Sequence, residues 1–168
     1  RPVEKWQPSR EVSVDIKIDW EGQWFYQDRP MERKALVKLF SSIIKKEGDD
    51  YYLVTPVEKA LLKVADVPFI IVNWEHYFNE NQQSMVVVDS NVGHQVIISK
   101  NFPLVLKHKT LDGKDQHIPY VSLGNGLEAR IRRSVYYQMI DNAEQEADAS
   151  GIRVVIYSDG LPFELGRL

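Results

Sequence analysis

A chain of 168 residues that is 43% hydrophobic and 11% aromatic carries apolar surface for one ample core or two modest ones, so it folds as a globular protein. With 21 basic against 24 acidic side chains its net charge is −3, which gives no field to draw nucleic acid or an anionic membrane surface. It contains no cysteine, and that removes disulfides, zinc–thiolate sites, iron–sulfur clusters and thiol nucleophiles together.

Over residues 12–20 apolar and polar side chains alternate strictly. Val12, Val14, Ile16, Ile18 and Trp20 share one side and Ser13, Asp15, Lys17 and Asp19 the other, the pattern of a strand with one buried face. Glu21-Gly22-Gln23 then turns the chain into Trp24-Phe25-Tyr26, the partner strand of a hairpin. Leu36, Leu39, Phe40, Ile43 and Ile44 recur at three- and four-residue spacing and predict a helix. Asp28 and Pro30 mark its start, Lys45 and Lys46 suit its negative end, and Gly48 stops it. Residues 51–54 read as a strand. Thr55-Pro56-Val57-Glu58 has the form of a capping box opening a helix, yet Leu62-Lys63-Val64 alternates, and both a short helix and a strand stay open there.

From Phe69 onward the texture changes to short β runs at 69–72, 85–88, 95–99, 104–108 and 118–123, with Asp112-Gly113 as a hairpin turn, so an antiparallel meander is predicted. A second long helix is predicted over 126–149, with Leu127, Ile131, Val135 and Met139 on one face. A strand over 153–157 and a turn at Asp159-Gly160 come after it. The fold class is α+β with mostly antiparallel sheets, in an N-terminal α/β lobe over 1–66 and a C-terminal β-rich lobe over 67–168. The order strand, turn, helix, strand occurs twice, over 24–55 and 118–158, and setting Met31 against Leu127 gives an offset of 96. A duplicated unit in two packed lobes predicts a groove between them, where small ligands commonly sit.

Gly124-Asn125-Gly126-Leu127-Glu128-Ala129 fits the G-x-G-x-x-A pattern of dinucleotide-binding turns. Such a site needs parallel strands around it, whereas the strands upstream read as antiparallel and only nine residues follow Asp159. The plainer reading is that the glycines relax a tight turn, Asn125 caps the helix and Glu128 closes the box. The helix carries Arg130, Arg132 and Arg133 in its first turns and Asp141, Glu144, Glu146 and Asp148 in its last, the reverse of what the helix dipole favours. Two readings stand. The arginines are solvated or salt-bridged, or Arg130 and Arg133 join free N–H groups near Gly126 to hold a phosphate or carboxylate. The aromatic residues Trp20, Trp24, Phe25, Tyr26, Tyr51 and Tyr52 read as core before they read as base-stacking surfaces.

No nucleophile elbow, P-loop or zinc-protease motif is present, and His76, His94, His108 and His117 lack ligand spacing, so no catalytic residue, metal or cofactor is expected. Glu58 and Asp66 remain as carboxylates for acid–base chemistry, against a structural role such as pairing of Glu58 with Lys59. No apolar run approaches the roughly 20 residues of a membrane-spanning helix, and the chain is expected to be cytoplasmic.

Several stretches resemble the bacterial DUF1285 family (domain of unknown function). They are Arg33-x-x-Leu36-Val37-x-Leu39-Phe40, Tyr52-Leu53-Val54-Thr55-Pro56-Val57-Glu58-Lys59, Asp66-Val67-Pro68-Phe69, Pro119-Tyr120-Val121, Gly126-Leu127-Glu128-Ala129 with Arg133 and Tyr136-Tyr137, and Ser158-Asp159-Gly160 with Leu165-Gly166. The resemblance implies a duplicated α/β core in two domains, the second superficially like a pleckstrin-homology fold, with a small, nucleotide-like ligand at the domain interface and a part in signalling. It implies a site drawn from Arg33, Thr55, Glu58 and Lys59 of the first lobe and Tyr120, Glu128 and Arg133 of the second. Where the family pattern often has an arginine two residues before Gly-Leu-Glu-Ala, this chain has Gly124, which removes one candidate anion ligand. The expected function is thus non-enzymatic sensing of a small anionic or nucleotide-like ligand. A protein–protein interaction module and a carboxylate-dependent hydrolase or transferase are the alternatives.

Overall fold

The computed structural model describes every residue from Arg1 to Leu168. The protein is mostly β, with two short helices, and divides into two compact units. One comprises Arg1–Phe69 with Asn125–Leu127, the other Ile70–Gly124 with Glu128–Leu168.

In the first unit, strands β1 (Arg10–Val12), β2 (Ile16–Ile18), β3 (Trp24–Tyr26) and β4 (Arg29–Pro30) precede helix α1 (Lys34–Ser41). Strands β5 (Ile44–Glu47), β6 (Asp50–Val54) and β7 (Glu58–Val64) come after it. They form a seven-stranded sheet in the order β4-β3-β2-β7-β6-β5, with β1 also paired to β7. Both β1 and β2 run parallel to β7, while the other neighbours are antiparallel. The alternating run over 12–20 is therefore two short strands. Val12 faces Ala60 and Lys17 faces Lys63, so this side uses two residues more than β7 over the same span and bulges out of the ladder at 13–15.

The helix expected to reach Lys46 ends at Ser41, because Ile43 and Ile44 are β-branched and the segment Ile44–Glu47 pairs as a strand. Lys45 lies opposite Tyr52 and Lys46 opposite Tyr51, and Gly48, at φ +61°, starts the two-residue turn between Glu47 and Asp50 rather than ending a helix. Thr55 does cap, but it caps a turn. Its Oγ1 accepts the Glu58 N–H at 3.1 Å where β6 passes into β7, so the segment left open is a strand. The core here holds Ile16, Ile18, Ile44, Leu53, Val54 and Leu62 around Trp24, which is 2% exposed and stacks on Phe40 with ring centroids 6.4 Å apart. The indole Nε1 of Trp24 is buried without a hydrogen-bond partner. Lys45 is buried too, and its ammonium donates to the Trp6 carbonyl at 3.0 Å, fastening the N-terminal segment to β5.

The second unit is built on two sheets. Strands β8 (Phe69–Phe78), β9 (Ser84–Ser90), β10 (Gln95–Ile97), β11 (Leu104–Leu111), β12 (Lys114–Gly124) and β13 (Leu127–Ile131) form one, in the order β10-β9-β8-β13-β12-β11. After helix α2 (Arg133–Asp141), strands β14 (Glu144–Asp148), β15 (Gly151–Ser158) and β16 (Leu161–Arg167) form the other in sequential order. In place of one meander there are two three-strand runs, β8-β9-β10 and β11-β12-β13, joined where β8 pairs β13, while the turns at Asp112-Gly113 and Asp159-Gly160 are present with both residues of each at positive φ. Ile70, Ile71, Val86, Val88, Ile98, Val121, Ala129, Ile131, Val135, Met139 and Leu165 fill the interior.

The long helix expected over 126–149 is a strand, a nine-residue helix and a second strand. Asn125 at φ +55° and Gly126 at φ +77° form a hairpin turn between β12 and β13, so Gly126 does not open a helix and offers no helix-end donors. Leu127, Ile131, Val135 and Met139 misled because a spacing of four satisfies a strand's period of two as well as a helix's. Of the acids placed at a helix end, Glu144, Glu146 and Asp148 lie on β14, whereas Asp141 does end α2 and Arg132 and Arg133 do open it, so the shorter helix keeps a charge order opposed to its dipole. The order hairpin, helix, hairpin does recur, as β3-β4-α1-β5-β6 and β12-β13-α2-β14-β15. Its helices start at Lys34 and Arg133, an offset of 99 in place of 96.

Candidate functional site

A cavity of about 740 Å³ opens within the first unit, lined chiefly from β2, β3 and β7 and from the turns after β3 and β5. Strand β7 contributes Leu61 and Lys63, which alternation places on one face, and Leu61 remains 42% exposed. Lys17 lies opposite Lys63 on one side and Phe25 on the other, so these three form one row across the sheet. Asp28, held at φ +63° in the turn between β3 and β4, accepts a hydrogen bond from the Lys17 ammonium at 2.8 Å. That bond and the attraction behind it lower the Asp28 carboxyl and raise the Lys17 ammonium from their ordinary values. Asp19 accepts the backbone N–H groups of Glu21 at 3.0 Å and Gln23 at 2.8 Å, which fixes the turn leading into β3. Asp49, Asp50 and Tyr51 complete the wall from the β5–β6 turn. The result is an apolar floor of Phe25 and Leu61 with charged groups at its margin, the ordinary make-up of a small-molecule site.

The residues expected from sequence fall into two groups, and none of them lines this cavity. In the first unit, Arg33 is the exposed residue just before α1, with no side-chain cap. Thr55 and Glu58 belong to the β6–β7 turn. Lys59 pairs with Glu47 at 2.8 Å, which raises its ammonium, and lies 4.4 Å from the centre of the Tyr52 ring. The expected pairing of Glu58 with Lys59 is thus replaced by one with Glu47. Gly126 sits in its turn with a prospective Cβ only 3.3 Å from Lys46 Cδ.

In the second unit Tyr120 is fully buried, and Lys107 and Lys109 each hold an ammonium 5.0 Å from its ring centre. The Lys107 ammonium reaches across β12 to Glu128, 2.7 Å from its Oε1. Arg130, 7% exposed, follows Glu128 by two residues on β13 and so shares its face. Arg133, exposed at the start of α2, packs its guanidinium 5.9 Å from the Tyr137 ring centre. The structure therefore brings Tyr120 and Glu128 together through Lys107, sets Arg130 on the Glu128 face of β13, and shows two lysines that sequence reasoning missed. Their signal was the register of β11 on β12, which places Lys107 opposite Ile118 and one pleat from Tyr120. Neither Glu58 nor Asp66 lines the cavity, and no three His, Asp or Glu side chains are grouped to hold a metal ion.

Two family models match the chain. The one described as "Domain of unknown function (DUF1285), N-terminal domain" matches residues 1–67, and "Protein of unknown function (DUF1285), C-terminal domain" matches residues 68–165. The crystal structure of a DUF1285 family protein from Silicibacter pomeroyi DSS-3 is similar at 35% identity and a TM-score of 0.86, over 100% of this chain and 88% of that one. A second, from Shewanella baltica OS155, is similar at 27% identity and a TM-score of 0.57, over 76% of this chain and 91% of that one. Among curated proteins none matches.

Proposed function

This chain belongs to the DUF1285 family, and from that premise we propose that it is a non-enzymatic small-ligand-binding protein with a sensing role, its ligand held in the cavity of the first unit. The cavity carries the reading. At about 740 Å³ it falls within the roughly 300–1,000 Å³ of small-molecule sites, and a few polar groups converge at its margin over an apolar floor. In the same proposal the second unit, two sheets with α2 between them in the chain, takes the part of the pleckstrin-homology-like module that relays occupancy.

The test is a melting-temperature screen against small polar compounds, in which a ligand at about 100 times its Kd adds roughly 2.7 kcal/mol. Leu61→Trp, at a half-open position, fills the cavity without touching the core and is expected to abolish the shift. A screen with no shift, or a shift that survives Leu61→Trp, overturns the proposal.

A second reading has its own observation, the convergence of Lys107 and Lys109 on the Tyr120 ring, and gives a small anion a place on that face. It predicts that inorganic phosphate raises the melting temperature of the wild type and not of Lys109→Met.

A further inference from the structure

We propose that the ligand of the first unit's cavity is a small amine, a compact apolar body bearing one ammonium group. This rests on the reading of the cavity as a ligand site and adds the ligand's charge. The lining holds four carboxylates, Asp19, Asp28, Asp49 and Asp50, against the two ammonium groups of Lys17 and Lys63. These charges are not equally available.

Lys17 is committed to Asp28 at 2.8 Å, and nearby Asp15 adds to the field that keeps it charged. Asp19 is committed to two backbone N–H groups. Lys63 stands directly opposite Lys17 across the parallel β2–β7 pair, where two like charges oppose each other, and its field also falls on Asp28. What remains is the β5–β6 turn. There Asp49 and Asp50 are exposed, adjacent in sequence and joined to no cation, at the edge of a floor made by Phe25 and Leu61.

A phosphate or carboxylate entering here meets four carboxylates against two ammonium groups, and of those two Lys17 is already bonded to Asp28. An ammonium meets two carboxylates that form no ion pair, and the apolar floor takes up its carbon skeleton. The glycine that starts the turn fixes where these carboxylates stand. Gly48 at φ +61° lets Glu47 and Asp50 pair across two residues, which brings Asp49 and Asp50 to the lip of the cavity.

The experiment compares three probes that share one body and differ in charge: phenethylamine, 2-phenylethanol and phenylacetate. Each is titrated into the full-length protein while backbone amide NMR signals of Leu61, Lys63 and Asp50 are followed. The amine is expected to bind about tenfold more tightly than the alcohol, and phenylacetate least, as two partly exposed ion pairs would give. In Asp49→Asn/Asp50→Asn the amine should fall to the level of the alcohol, whose own binding stays the same. Equal or tighter binding of phenylacetate, or an amine preference that survives the double substitution, overturns the charge assignment while leaving the site standing. If none of the three moves those signals, the cavity is not a site for such ligands, and the reading beneath this one falls with it.

Discussion

Ser158 exposes no surface, and its hydroxyl ties β15 to β9 and to the residue that follows β10: it donates to the Ile98 carbonyl at 2.6 Å and accepts the Val86 N–H at 2.9 Å. Alanine there leaves two buried backbone groups unpaired, so Ser158→Ala is expected to cost about 1–3 kcal/mol in a urea melt. His94 offers a pH test. Ser90 Oγ accepts the backbone N–H groups of Val92 and His94, so its proton goes to His94 Nδ1, 2.8 Å away, and burial holds the imidazole below its ordinary value of 6.5. A depressed histidine favours the neutral form in the fold, so its contribution is whole above 6.5 and declines as the pH falls toward the lowered value. His94→Gln should flatten that part of a stability–pH curve. Among site residues, Tyr120 came to notice only through the family resemblance, and its burial was not legible. Its surroundings come from β11 and β13, and no local pattern in the sequence announces a cross-strand neighbour.

Most of the strands could be read from alternation, and the errors cluster where a turn was taken for a helix end. Gly48 and Gly126 both looked like helix punctuation, yet each serves a two-residue hairpin turn, and Asn125-Gly126 is in fact the dipeptide such turns prefer. Gly126→Ala tests this directly. A side chain at φ +77° with Lys46 3.3 Å from its Cβ should lose about 1–2 kcal/mol by denaturant titration, whereas at a helix start alanine would be neutral. The charge pattern of β14 was visible but misassigned. Its acids are not a strained helix end but an outer strand tied to its neighbours. Glu146 binds Arg153 at 3.0 Å and accepts the Tyr157 hydroxyl, and Asp148 is gripped by Arg167 at 2.8 Å. Such charges also protect an edge strand from pairing with another chain. Arg167 and the Ser150 N–H lower the Asp148 carboxyl from 3.8 to about 2. Its contribution is therefore complete above 3.8 and lost as the pH falls toward 2, and Asp148→Asn should flatten acid unfolding across that window.

Taken as a whole, the molecule is far less helical than its apolar spacing suggested. The two helices hold 8 and 9 residues, 17 of 168, whereas the predicted second helix over 126–149 alone would have exceeded that. Far-ultraviolet circular dichroism should accordingly show a strand-dominated spectrum, and a strong helical signature would contradict the fold. No helix is long and apolar enough to cross a membrane. Family membership was readable because short motifs keep their order along the whole chain. The cavity was not, because its walls come from strands that meet only after β2 has docked parallel to β7. Trp24, paired to Ile18 of that same β2, is left only 2% exposed inside the first unit. An indole so placed emits toward the blue end of the tryptophan range, so with Trp6, Trp20 and Trp74 replaced by phenylalanine a red shift in intrinsic fluorescence will register water reaching the first unit, with no dye or label required.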